Sequence, residues 1–191
     1  VRHNMDEVLL EHTVTIARDF GGFGHTQLRI ALDSAPLQGA GRVEDTFNLI
    51  GHALELLVSC AARIRMTTEA HILTEAGTQL IGKSSVKAAL DIDWSVEAEK
   101  QNAINTLLKD VSQLQQWLST QPSTVTEHKE LKACLTLLET VLSQNIEPDP
   151  DGGGKITQGV AEDRLISIHD DSMRHGRKSS SRTINGFKQH I

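Results

Sequence analysis

Three groups of residues in this chain could do chemistry, and each asks for a different reaction. Asp33 closes the run Gln27-Leu-Arg-Ile-Ala-Leu-Asp33, in which Leu28, Ile30 and Leu32 alternate with smaller or more polar residues. A carboxylate at the exit of an apolar strand, ahead of a glycine-containing loop, is where open α/β sheets place groups that contact ligands. The same Asp could equally cap the turn through its own backbone bonds. Gly77-Thr-Gln-Leu-Ile-Gly82-Lys83-Ser84 fits the phosphate-loop pattern G-x-x-x-x-G-K-[ST]. That pattern needs a buried strand before it and a helix after it to aim backbone N–H groups at phosphates. Ala70 to Ala76 has no strand character, and Leu80-Ile81 continues an apolar helical face, so the match reads as chance.

The third group is the nine histidines, none of which falls in H-E-x-x-H or in a Cys/His cluster. His12, His52, His71 and His128 sit in helical patterns and read as surface or half-buried residues. His169, His175 and His190 share a basic tail, where neighbouring cations make poor company for a metal. Asp149-Pro-Asp151-Gly152 has the opening of a calcium loop, but a count from Glu147 puts Gln158 where the bidentate Glu belongs. A solvated linker is the simpler reading. Cys60 and Cys134 lie in apolar helical patterns, which excludes a disulfide scaffold or a four-thiolate zinc site and points to a reducing compartment.

The elements that must position these residues follow from periodicity. Met5 to Phe20 reads as a helix with Val8, Leu9, His12, Ile16 and Phe20 near one face, ended by Gly21, Gly22 and Gly24. From Val43 the period is helical: Phe47, Ile50, Leu54, Leu57, Val58, Ala61 and Ile64 predict a long helix over about 43–66. Thr67-Thr68-Glu69 starts a second helix to about Leu80. Ser95 is the expected N-cap of a third, and Thr124-Val-Thr-Glu127 has the spacing of a capping box for a fourth. Glu147 to Gly154 reads as a linker. Arg164-Leu-Ile-Ser-Ile-His169 reads as a strand, Met173 to Ser180 as a turn, and Ser181 to Ile191 as a weaker strand. The predicted class is α+β, a strand and a hairpin separated by a large all-helical insertion.

Charge adds a constraint on partners. The net charge is −6, yet residues 1–154 hold 12 Lys+Arg against 21 Asp+Glu (−9), while 155–191 hold 7 against 4 (+3). A basic segment on an acidic chain suits a phosphate-bearing partner. No stretch approaches the roughly 20 apolar residues of a membrane span, so the chain reads as cytoplasmic with no membrane partner.

The run Leu32-Asp-Ser-Ala-Pro-Leu-Gln-Gly-Ala-Gly-Arg-Val-Glu-Asp-Thr-Phe-Asn-Leu-Ile-Gly-His-Ala53 closely resembles the segment around the first catalytic aspartate of DDE transposases of bacterial insertion sequences. Two further blocks keep the same order. Asp91-Ile-Asp-Trp94 resembles a turn within the helical insertion of one branch, and Asp163 to His190 resembles the second and third strands with their basic turn. Phe187 stands where the family commonly has Tyr, and Asp171 where it often has Pro.

The resemblance implies a ribonuclease H-like fold, with residues 1–26 ending an N-terminal helical region and 27–42 forming the first strand and catalytic-Asp loop. Residues 43–147 would be the helical insertion, and 148–191 a linker plus the second and third strands. It implies an enzyme that cuts and rejoins DNA, in which three carboxylates hold two Mg2+ ions roughly 3.5–4 Å apart. Asp33 matches the first carboxylate; the other two belong to later elements, so a partial chain, inactive alone, is expected. Arg174, His175, Arg177, Lys178, Arg182 and Lys188 are the candidate DNA-backbone contacts, and a homo-oligomer is compatible. Periodicity alone also allows a non-catalytic helical module, residues 43–147, that dimerises or binds a protein.

Overall fold

The computed structural model describes residues 5–19, 34–38, 43–82, 85–159, 163–170, 172–179 and 182–190. It divides into two units, Val1–Ala35 with His190–Ile191, and Pro36–Gln189. In the first unit, helix α1 (Met5–Asp19) agrees with the sequence reading. Its expected apolar face is not covered, for Val8 is 49%, Leu9 70% and Ile16 54% exposed.

The second unit is built around α2 (Thr46–Ile64), whose buried positions run from Thr46 through Phe47, Ile50, Leu54, Leu57, Val58 and Ala61 to Ala62. By length and composition α2 could cross a membrane, but it is mostly buried as the central core helix. It starts three residues later than its apolar pattern because Asp45 caps it: Asp45 Oδ1 accepts from Phe47 N at 3.1 Å and Asn48 N at 3.2 Å. Around it lie α3 (Glu69–Ala76), α4 (Val86–Leu90), α5 (Glu97–Ser119), α6 (Ser123–Thr126) and α7 (Lys129–Asn145), with α7 the most extensive neighbour. At Gly51 α4 lies close against α2, since a Cβ there would sit 2.4 Å from Val86 Cγ2.

Two expected caps are replaced. Ser95 instead closes a turn on Asp93, donating from N at 2.9 Å and Oγ at 2.7 Å, so α5 begins after Val96. Those bonds hold the Asp93 carboxyl below its ordinary range. Glu127 ends the short α6 rather than completing a capping box, and α7 starts after His128.

The linker at 147–154 is a hairpin. Strands β2 (Ile146–Pro148) and β3 (Gly154–Ile156) pair antiparallel, with Glu147 opposite Lys155. Gly152 and Gly153 take φ of +102° and +81°, which the turn requires and side chains resist. Asn105 and Gln101 of α5 bind the backbone of Gly154 at 3.1 Å and 2.8 Å. Asp149 Oδ1 accepts from Asp151 N within this turn, so the apparent calcium loop is an Asx turn.

The strand expected over 164–169 is not one. Leu165, Ile166, Ser167 and Ile168 are all buried, yet their backbone groups bond to the helical body: Leu165 N to Gln144 Oε1 at 2.9 Å, and Ile166 O from Glu44 N at 2.9 Å. With those partners an extended segment needs no ladder. The expected turn over 173–180 is instead strand β4 (Arg174–Ser179), antiparallel to β5 (Arg182–His190) with a bulge between Arg177 and Ser179. β1 (Ser34–Gln38) completes a three-stranded sheet of order β1-β5-β4. A strand at 34–38 was expected to be loop; at the sheet edge, Pro36 is tolerated because its missing N–H need not join a ladder. Mixed helices and short antiparallel strands make the architecture α+β. The predicted strand over 27–33 lies outside the described residues.

Candidate metal centre

Glu44 lies immediately before the cap of α2 and is only 8% exposed. A buried carboxylate must be paired, and two elements supply partners. Its Oε1 accepts from Ile168 N at 3.3 Å, while Oε2 lies 2.6 Å from Nδ1 of His52, two turns into α2. Such a contact requires a proton between the two atoms. The backbone bond from Glu44 N to Ile166 O holds the segment 163–170 against the start of α2. That docking carries His169 to His52, with ring centroids 5.7 Å apart and planes tilted by 43°. One ligand atom from each of Glu44, His52 and His169 lies within 4.8 Å of the other two. Among the described residues His169 makes this ring contact and no hydrogen bond.

His52 and His169 also line a cleft of 530 Å³, together with Glu55, Ser59, Glu69 and Ile168. Glu55 and Glu69 thus line the same cleft as the two imidazoles, whose third partner is the buried Glu44. This set can hold a divalent cation. One oxygen and two imidazoles suit zinc and its neighbours; magnesium asks for oxygen ligands in near-octahedral geometry. The centre is therefore chemically unlike the carboxylate-held magnesium pair expected around Asp33, which itself lies outside the described residues. His52 is half-buried on α2, as its helical pattern predicted, while His169, read as a poor ligand in a basic tail, precedes the cationic strands and lies beside Glu44 and His52, a grouping that neither reading pointed to. Glu44 was missed, and only its place beside the helix cap could have drawn attention to it.

The six expected DNA-backbone residues occupy a single hairpin. Arg174 opens β4 opposite Gly186, half-buried, with Nη1 donating to Met173 O at 3.0 Å; His175 is exposed opposite Asn185. Arg177 pairs with Thr183, Lys178 sits at the bulge, Arg182 pairs with Ser179, and Lys188 lies further along β5. Asp170 Oδ1 accepts from Ser172 Oγ at 2.7 Å, a turn role in keeping with its noncatalytic reading.

The phosphate-loop match fails on geometry. Gly77 is the left-handed cap of α3, at φ +73°, so a helix precedes the loop where a strand is required. The loop amides are also taken: Asp110 of α5, 2% exposed, accepts from Gln79 N at 3.1 Å and Leu80 N at 2.8 Å. Lys83 and Ser84 lie outside the described residues.

The two thiols are free and adjacent, Cys60 on α2 and Cys134 on α7. Burial, then the neighbouring Cys60, pushes the Cys134 thiol up to about 11, so Cys134 is not primed as a nucleophile here. No protein-family model, curated protein or solved structure matches the chain.

Proposed function

We propose that this chain is part of a DDE transposase of the insertion-sequence type, with a ribonuclease H-like core, DNA as partner, and Asp33 as the first carboxylate of a magnesium site. The observation that supports this reading most is a convergence. The three sequence segments that carry the resemblance are far apart in the chain, and they meet at the start of α2. Phe47 packs edge-on against Trp94 with centroids 4.9 Å apart, and Lys87 bridges the two segments, 4.7 Å from the Trp94 ring and 2.8 Å from Asp45. From the other side, Arg164 donates to Thr46 Oγ1 at 3.2 Å, and Ile166 and Ile168 bond to Glu44. The helical insertion thereby has a fixed attachment to the segment leading into the basic hairpin.

In this reading the hairpin supplies phosphate contacts and carries no base recognition. Gel-shift titration of the chain with unrelated duplexes at several salt concentrations tests it. Binding should be indifferent to sequence and fall steeply with salt, and replacing Arg177, Lys178 and Arg182 together by Ala should reduce the log–log salt slope by roughly three. Absence of DNA binding, or a slope unchanged by the triple substitution, refutes the assignment.

One observation favours the helical module instead: the large buried cluster is drawn almost wholly from α2–α7 and their connections. Concentration-dependent self-association with no affinity for DNA would support that reading.

A further inference from the structure

We propose that Glu44, His52 and His169 form a binding site for one divalent cation of the zinc class, which clamps the 163–170 segment to α2. This goes beyond the transposase reading and uses none of the residues assigned to DNA or to the magnesium site.

Each of the three side chains is held in place by its surroundings. Glu44 Oε1 is fixed by the Ile168 amide, leaving Oε2 to face the imidazoles, so the carboxylate is oriented by an outer partner as metal-bound carboxylates commonly are. His52 is fixed by its place in α2. His169 is delivered by a segment whose four preceding residues, Leu165 to Ile168, are all buried. Its ring is thus anchored through the backbone although the side chain is exposed, and it approaches Glu44 and His52 without any hydrogen bond among the described residues to explain the approach.

The distances suit a cation entering by a small adjustment. Tetrahedral zinc with bonds of about 2.0–2.1 Å places its ligand atoms roughly 3.3 Å apart. The Glu44–His52 contact at 2.6 Å must widen slightly and the widest separation, at most 4.8 Å, must shorten. The cation takes the place of the proton between Oε2 and Nδ1. The fourth position then faces the 530 Å³ cleft and is filled by water, while Glu55 and Glu69 on its wall favour entry of a cation. Because one ligand comes from the 163–170 segment and two from the start of α2, binding ties elements more than a hundred residues apart in sequence.

The test is calorimetric titration of the chelator-stripped chain with Zn2+ and, separately, Mg2+, with thermal melts alongside and Co2+ as a spectroscopic probe. The expected result is one Zn2+ per chain, a raised melting temperature, the intense visible absorption of tetrahedral Co2+, and no comparable Mg2+ binding. His169→Ala removes an exposed side chain and should fold normally, yet weaken Zn2+ binding at least tenfold and abolish the tetrahedral spectrum. Glu44→Gln should do the same. Zinc affinity unchanged in His169→Ala, an octahedral Co2+ spectrum, Mg2+ binding as tight as Zn2+, or no Zn2+ binding by the wild-type chain would each overturn the proposal. No readout involves DNA, so failure here leaves the transposase reading standing, and failure of that reading leaves the metal site standing.

Discussion

Replacing Asp110 is the sharpest test of how the loop after α3 is held. The carboxylate is 2% exposed and accepts from Gln79 N and Leu80 N, the first within 3.1 Å of both oxygens and the second 2.8 Å from Oδ2. Hydrogen bonds to a charged acceptor are worth about 1.5–3 kcal/mol each. In Asp110→Ala the two amides fare differently. Gln79 is exposed and can turn to water, whereas Leu80 is 6% exposed, so its N–H loses its partner at a cost of about 1–3 kcal/mol. Removing a buried charge gives part of this back, since its desolvation is no longer incurred. The net expectation is a loss of about 2–4 kcal/mol. Asp110→Asn keeps one acceptor oxygen but turns an NH2 group toward a donor, for a smaller loss of about 1–2 kcal/mol. Urea denaturation of the three proteins, read at equal m-values, measures both. The ranking wild type, Asn, Ala is the expected result. An Ala variant within about 0.5 kcal/mol of wild type would refute the claim that this carboxylate organises the loop. The same occupancy predicts that ATP and GTP leave the melting temperature unchanged; stabilisation by either would mean that the amides are available to phosphate after all.

Other positions carry their own expectations. Gly51→Ala gains helix propensity of about 1 kcal/mol but sets a Cβ 2.4 Å from Val86 Cγ2; overpacking of about 1–3 kcal/mol should win, giving a less stable protein in thermal melts that Val86→Ala restores. Leu57→Ala on α2 and Leu138→Ala on α7, both fully buried, should each cost about 2–5 kcal/mol in urea denaturation. Glu75 bonds to Arg65 and, at 3.1 Å, to Trp117 Nε1, and the Arg65 bond holds its carboxyl below the ordinary 4.5. A depressed folded-state value stabilises above the unfolded value and is lost as pH falls through the folded one, so Glu75→Gln should flatten the stability profile on the acid side of pH 4.5. With its thiol pushed up to about 11, Cys134 should react with a disulfide reagent at neutral pH far more slowly than a free cysteine peptide; equal rates would contradict the burial.

What could be read in the sequence, and what could not, divides along a physical line. The helical stripes were legible because each records a local period: Phe47, Ile50, Leu54, Leu57 and Ala61 are all buried as the pattern requires. The termini were harder, since Asp45 and Thr68 cap as their types suggest, whereas Ser95 and Glu127 found closer partners in their own turns. The basic strand β4 was read as a turn because Arg-His-Gly-Arg-Lys-Ser offers no apolar alternation; it is strand by virtue of its pairing with β5. The reverse error at 164–169 has the complementary cause. Apparent alternation over Arg164 to His169 says nothing of what satisfies the backbone; here Leu165 to Ile168 are all buried, and Gln144 and Glu44 take up the backbone groups.

The metal centre shows the same division at the level of function. Glu44, just before the cap of α2, and His52 within it are eight residues apart, so their meeting is local and could have been suspected. His169 enters only through the docking of 163–170, an outcome of long-range packing that no spacing rule encodes. Arg164 makes this docking specific: it reaches both Thr46 Oγ1 and Asn145 Oδ1, linking the start of α2 to the end of α7 through one guanidinium. Thr46 and Asn145 are themselves 6% and 1% exposed. Arg164 Nε is buried without a partner, so the two Nη2 bonds to these buried side chains are what tie the guanidinium, and with it the segment that carries His169, to this place. The geometry of the centre thus depends on Arg164 as well as on the backbone bond from Glu44 N to Ile166 O. In a titration of the chain, Arg164→Met should therefore weaken Zn2+ binding although residue 164 touches none of the three ligands. An Arg164→Met protein that folds and binds Zn2+ as tightly as wild type would show that the ligands assemble without this anchor.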